Sequence, residues 1–75
     1  MKAFILIETT TDKAKEVTTA LKQLHEVKSV NAVTGPYDVI AILEAENITN
    51  IITAKIKIEA IPGISRTVVC MTGNK

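Results

Sequence analysis

Ala3 to Ile7 is an unbroken run of β-formers and apolar residues between Lys2 and Glu8, and its length predicts a first strand. The polar stretch Glu8-Thr9-Thr10-Thr11-Asp12 then offers hydroxyl and carboxylate N-caps for a helix. Ala14, Val17, Leu21 and Leu24 follow at spacings of three, four and three, which puts one apolar stripe on a surface helix. From Val27 the pattern changes again. Val27 to Thr34 is rich in β-branched residues and leads into Gly35-Pro36-Tyr37-Asp38, where proline pre-sets the φ of a turn and aspartate bonds back to the local backbone. Val39 to Leu43 comes directly after, so the two runs form a hairpin. Asn47 is an N-cap for a second helix over residues 47–59, in which Ile48, Ile51, Ile52 and Ile58 share a broad face. Pro62-Gly63 stops that helix, Ile64 to Met71 is the last strand, and Gly73-Asn74-Lys75 is a polar tail.

The order β-α-β-β-α-β is that of a ferredoxin-like split βαβ unit in one domain spanning residues 1–75: α+β, a four-stranded antiparallel sheet with both helices on one face. The other face then has no cover within the chain. A sheet with one wet face alternates apolar and polar residues, yet Ala3 to Ile7, Val39 to Leu43 and Val68 to Met71 are apolar at both parities. That face is expected to pack on a second copy. At about 25 cal/mol per Å², burying ~500 Å² of apolar surface per chain contributes on the order of 12 kcal/mol before the costs of association.

Composition points the same way. A domain of 75 residues buries only about 60% of the surface its unfolded chain exposes, so it needs reinforcement. With one cysteine, Cys70, and one histidine, His25, neither an internal disulfide nor a four-ligand structural metal site is available, which leaves oligomerisation. The formal charge is +1, from 9 basic and 8 acidic residues spread along the chain, not the cationic excess of a nucleic-acid surface. The first apolar run is too short for an export signal or a membrane span. With the lone thiol, this makes the cytoplasm the expected compartment.

The fold order alone decides no function. RNA recognition on such a sheet needs aromatic residues on the central strands, and only Phe4 is present there. A copper-carrying version would need two cysteines after the first strand, where this chain has Thr9-Thr10-Thr11. No nucleophile and base, and no acid-base pair, emerges for catalysis. His25 is expected as a solvated residue at a helix end, and Cys70 as a small buried apolar residue inside a strand. The polar cluster with chemical content is Gly35-Pro36-Tyr37-Asp38, in which the carboxylate can accept bonds from an ammonium and the Tyr37 ring supplies an apolar wall with a polar tip. A plain hairpin turn with a helpful aspartate accounts for the same residues.

The run Val33-Thr34-Gly35-Pro36-Tyr37-Asp38-Val39-Ile40-Ala41, followed by Ile61-Pro62-Gly63-Ile64-Ser65-Arg66-Thr67, resembles the effector-binding module of the Lrp/AsnC family, the RAM (regulation of amino-acid metabolism) domain. The resemblance covers the whole chain. It implies a βαββαβ module that dimerises through its sheets in a dimeric α+β barrel arrangement, with dimers building rings, often octamers. It also implies binding of an amino acid or related small effector between dimers, with Gly35, Tyr37 and Asp38 at the turn and Thr67 on the final strand as ligand-binding residues. Asp38 would make the polar contact and Tyr37 would shape the pocket. No catalytic residue, metal or cofactor is implied.

Full-length regulators of this family carry an N-terminal helix-turn-helix unit, whereas here the first strand begins almost at Met1. The chain therefore resembles the stand-alone version, with no direct DNA binding and a role in modulating transcription by co-assembly with full-length Lrp/AsnC regulators. Many such modules have Thr-x-Thr in the last strand, where this chain has Thr67-Val68-Val69 and one potential ligand hydroxyl fewer. Two other readings stand beside this one. The first is a purely structural oligomerisation module. The second is an ACT-like amino-acid-binding regulatory domain of a metabolic enzyme, which would favour a glycine-rich loop where Thr9 to Asp12 stand.

Overall fold

A computed structural model describes residues 1–10 and 12–71. It has the expected order: β1 (Lys2–Thr9), α1 (Ala14–Leu21), β2 (Val27–Ala32), β3 (Val39–Glu44), α2 (Ile48–Glu59) and β4 (Ile64–Met71). The strands form one antiparallel sheet in the order β2-β3-β1-β4, the ferredoxin-like α+β arrangement. The polar tail at residues 73–75, and Thr11 in the capping stretch, lie outside the described residues.

Strand parity separates the two faces of the sheet. Ala3, Ile5 and Ile7 of β1 and Val39, Ala41 and Leu43 of β3 are fully buried, packed with Val17 and Leu21 of α1 and Ile51, Ala54 and Ile58 of α2. The alternate residues Phe4, Leu6, Ile40, Ile42 and Val68 are half-buried, and Cys70, expected to be buried, is exposed, because its parity puts it across from Phe4 on the side away from the helices. Directly paired residues share a face, so the register lays two rows across the open side. One is Asn31, Ile40, Leu6 and Val68; the other is Ser29, Ile42, Phe4 and Cys70. Each row runs from a polar residue on edge strand β2 into apolar residues on the other three strands. The two rows are apolar over β3, β1 and β4, as the two-parity pattern predicts, and the face turns polar at its Glu8–Arg66 end.

The structure corrects several local expectations. Helix α1 starts from Lys13 without a side-chain cap, because the residue at the cap position is a lysine, which offers no acceptor to the first N–H groups; the Thr9 and Thr10 hydroxyls bond Asp38 and the Gly63 carbonyl instead. The helix ends at Leu21, leaving Leu24 in the following loop. Helix α2 is capped as expected, the Asn47 side chain accepting from the Asn50 N–H at 2.9 Å, but its buried stripe is Ile51, Ala54 and Ile58. Ile48, Ile52 and Ile56 form a second, exposed stripe. The broad apolar face therefore splits, since a helix lying on a sheet buries only one side. Strand β2 stops at Ala32, two residues short of the expected end.

Candidate functional site

Four hydrogen bonds hold the Gly35–Asp38 turn, one across the hairpin and three to the end of β1. The Val33 N–H donates to the Asp38 carbonyl and the Asp38 N–H to the Ile7 carbonyl, each at 2.9 Å. The Thr9 N–H and hydroxyl both donate to Asp38 Oδ2, at 2.9 and 3.2 Å. Asp38 thus ties β3 to β1 through its side chain as well as through the sheet ladder. Gly35 adopts φ +133° with open space around its missing Cβ, so glycine serves the backbone conformation there and opens no close contact. Tyr37 is half-buried, and the Arg66 guanidinium stands over its ring, 5.2 Å from the centroid. Arg66 Nε lies 3.4 Å from Glu8 Oε1. The guanidinium is held between an aromatic face and a carboxylate.

Of the four residues singled out from the sequence, the structure brings Gly35, Tyr37 and Asp38 together and leaves Thr67 apart. Thr67 pairs with Ile7 on the helix-facing side of the sheet, and its hydroxyl donates to Glu59 Oε2 of α2 at 2.9 Å. The same oxygen receives Lys55 Nζ at 2.8 Å. The Lys55 and Thr67 hydrogen bonds hold the Glu59 carboxyl below its ordinary value. Two residues of the cluster, Glu8 and Arg66, were not anticipated. Glu8 was visible only as the polar boundary of an apolar strand and Arg66 only as a charged position within the last strand, and the Glu8–Arg66 register was needed to place them side by side.

A second polar region lies at the other end of β3, roughly 20 Å away at the usual rise per strand residue. There an open cleft of about 470 Å³ is lined by His25, Glu26, Glu44, Ala45, Glu46 and Asn50. Glu26 is nearly buried, with Oε2 3.3 Å from Lys57 Nζ and 3.6 Å from Nε2 of the exposed His25. Its own backbone amide, then Lys57 and His25, hold its carboxyl below the ordinary 4.5, against burial, which raises it. A carboxyl depressed in the folded state contributes stability that is present above the unfolded pKa and lost as pH falls through the folded one. Wild type should therefore exceed Glu26→Gln in melting temperature at neutral pH, and this margin should shrink below about pH 4.5. A margin unchanged from pH 7 to pH 3 would show that the Glu26 charge does not stabilise the fold. Among the described residues no group of three or more His, Cys, Asp or Glu is arranged to hold a metal ion, and no helix is long and apolar enough to cross a membrane.

The profile of the Lrp/AsnC ligand binding domain matches residues 2–72. The chain belongs to the Lrp/AsnC ligand-binding family. Among solved structures this Lrp/AsnC domain is similar to FFRP-DM1, with 33% identity and TM-score 0.85 over 91% of this chain and 92% of that one. It is also similar to the hypothetical protein PHS023 from Pyrococcus horikoshii, with 31% identity and TM-score 0.89 over 99% and 90%. The transcriptional regulator NMB0573 of Neisseria meningitidis, solved as a complex with L-Met, shares the fold at 18% identity and TM-score 0.85. There this chain is covered over 99% of its length but spans 50% of the regulator. No curated protein sequence matches the chain.

Proposed function

We propose that this Lrp/AsnC domain is a non-enzymatic effector-binding and assembly module. It binds an amino acid or related small molecule beside the Gly35–Asp38 turn, assembles through its open sheet face into homodimers and then larger rings such as octamers, and modulates transcription by joining full-length Lrp/AsnC regulators. It makes no direct contact with DNA and works in the cytoplasm. The observation that carries this reading is the turn itself. Its backbone is fastened to β1, while Tyr37, Glu8 and Arg66 form a part-exposed surface with both signs of charge. The apolar rows of Phe4, Leu6, Ile40, Ile42 and Val68 support the assembly step. The L-Met bound by the Neisseria regulator supports the effector class.

The test is mass by light scattering, with melting temperature, measured with and without each of the twenty amino acids. Wild type is compared with Asp38→Asn, which keeps an acceptor for Thr9, and with Asp38→Ala, which does not. A multimer whose size or melting temperature responds to particular amino acids, and responds less once the Asp38 charge is removed, supports the sensor. A ligand that prefers the assembled state must shift the population toward it. A second reading, a purely structural oligomerisation module, is favoured by one observation: Asp38 and Thr67 already spend hydrogen bonds on Thr9 and Glu59 within the chain. A stable assembly indifferent to all twenty amino acids would establish that reading instead.

A further inference from the structure

We infer that Arg66 is the carboxylate reader of the effector site, so that the module accepts ligands with a free α-carboxylate and discriminates against their amides. The inference rests on the effector-binding reading of the turn and adds to it the chemical group recognised and the residue that recognises it.

The argument starts from how Arg66 is held. It lies on the open side of the sheet but at the end of that face, one outward pair beyond the Leu6–Val68 row and directly across from Glu8, with a side chain more than half exposed. A surface arginine normally samples many rotamers and loses that freedom when it binds. Here the Tyr37 ring lies beneath the guanidinium and Glu8 stands at Nε, so part of the ordering precedes a ligand. Among the described residues no hydrogen bond engages the two terminal nitrogens of the guanidinium. A guanidinium stacked on a ring and paired at Nε presents those nitrogens as a planar fork, which matches the two oxygens of a carboxylate.

The neighbours define the rest of the ligand. Glu8 is part-exposed beside the guanidinium, and Asp38 follows Tyr37 and is bonded to Thr9, the residue after Glu8. An ammonium group next to the bound carboxylate would meet these anions, so the arrangement suits a zwitterion. A lysine at position 66 would keep the positive charge but lose both the ring stacking and the two-pronged geometry.

Calorimetric titration of the assembled wild-type protein tests this with matched pairs, each amino acid that raises the melting temperature against its own primary carboxamide. The expected result is a loss of roughly 10- to 100-fold in affinity for the amide, the range for a hydrogen-bonded charge contact. Arg66→Gln should bind acid and amide alike, and Arg66→Lys should recover only part of the preference, while both variants keep the wild-type mass. An amide that binds wild type as tightly as its acid would overturn the inference, as would an acid preference that survives in Arg66→Gln. Absence of binding by any amino acid would instead overturn the effector reading on which the inference stands. The wild-type comparison of acid and amide needs no variant to fold.

Discussion

Replacing Leu6 by glutamate should dissolve the assembly and leave the protomer folded. Leu6 lies mid-face in a row with Ile40 and Val68, and its side chain is only half-buried within one chain. The helix-facing core of Ile5, Ile7, Val39 and Leu43 is on the opposite side and is untouched by the change. In a twofold arrangement each dimer would contain two such glutamates, both withdrawn from water in the apolar row, while Arg66, the cation one outward pair away on the same face, is already paired with Glu8. The effective penalty for an unpaired buried ion is several kcal/mol. Taking ~4 kcal/mol for the pair weakens association by about a thousandfold. Light scattering should then report the 8.1 kDa protomer, with a melting temperature that no longer depends on protein concentration. A wild type that is itself monomeric, or a Leu6→Glu protein that keeps its assembly, would remove the open sheet face from the account.

Gly63→Ala should be the most damaging small substitution within the protomer. Gly63 has φ +99°, and a Cβ there would stand 2.8 Å from Lys13 Cβ and 3.2 Å from Val17 Cγ2. Lys13 is the N-cap of α1 and Val17 is in the core, so neither neighbour retreats without moving the helix. The Gly63 carbonyl also accepts from the Thr10 N–H at 2.8 Å, which pins this corner to the β1–α1 loop. A left-handed backbone costs an L-residue about 1–2 kcal/mol, and overpacking adds about 1–3. A total near 3 kcal/mol corresponds to a fall of roughly 12–24 °C in melting temperature for a domain of this size. Gly35→Ala isolates the backbone contribution, since its φ is also positive but the space around it is open, and its melting temperature should fall by less. Equal losses in the two variants would show that the approach of α1 to Gly63 is not tight.

The site was partly legible before folding. Gly35, Tyr37 and Asp38 lie within four consecutive positions, so local turn chemistry keeps them together whatever the rest of the chain does. Thr67 was grouped with them by resemblance, but it stands on the helix side of β4 and bonds Glu59. A strand alternates its side chains between two faces, and adjacent Arg66 and Thr67 therefore serve opposite sides of the sheet. Glu8, Arg66 and the cleft around Glu26 could not be read along the chain, because each joins segments far apart in sequence.

Hydrophobic periodicity by itself determined the six elements, their order and the doubly apolar strands, since the periods of strand and helix depend only on local backbone geometry. Local signals also set the Asn47 cap and the stop before Pro62-Gly63. Only the tertiary structure decided which isoleucines of α2 are buried, which residue meets the Asp38 carboxylate, and which cation stands over Tyr37. Those outcomes depend on strand register and helix placement. Register and placement are settled by burying Ile5, Ile7, Val39, Leu43, Ile51 and Ile58 together, and they bring together residues as distant as Glu8 and Arg66.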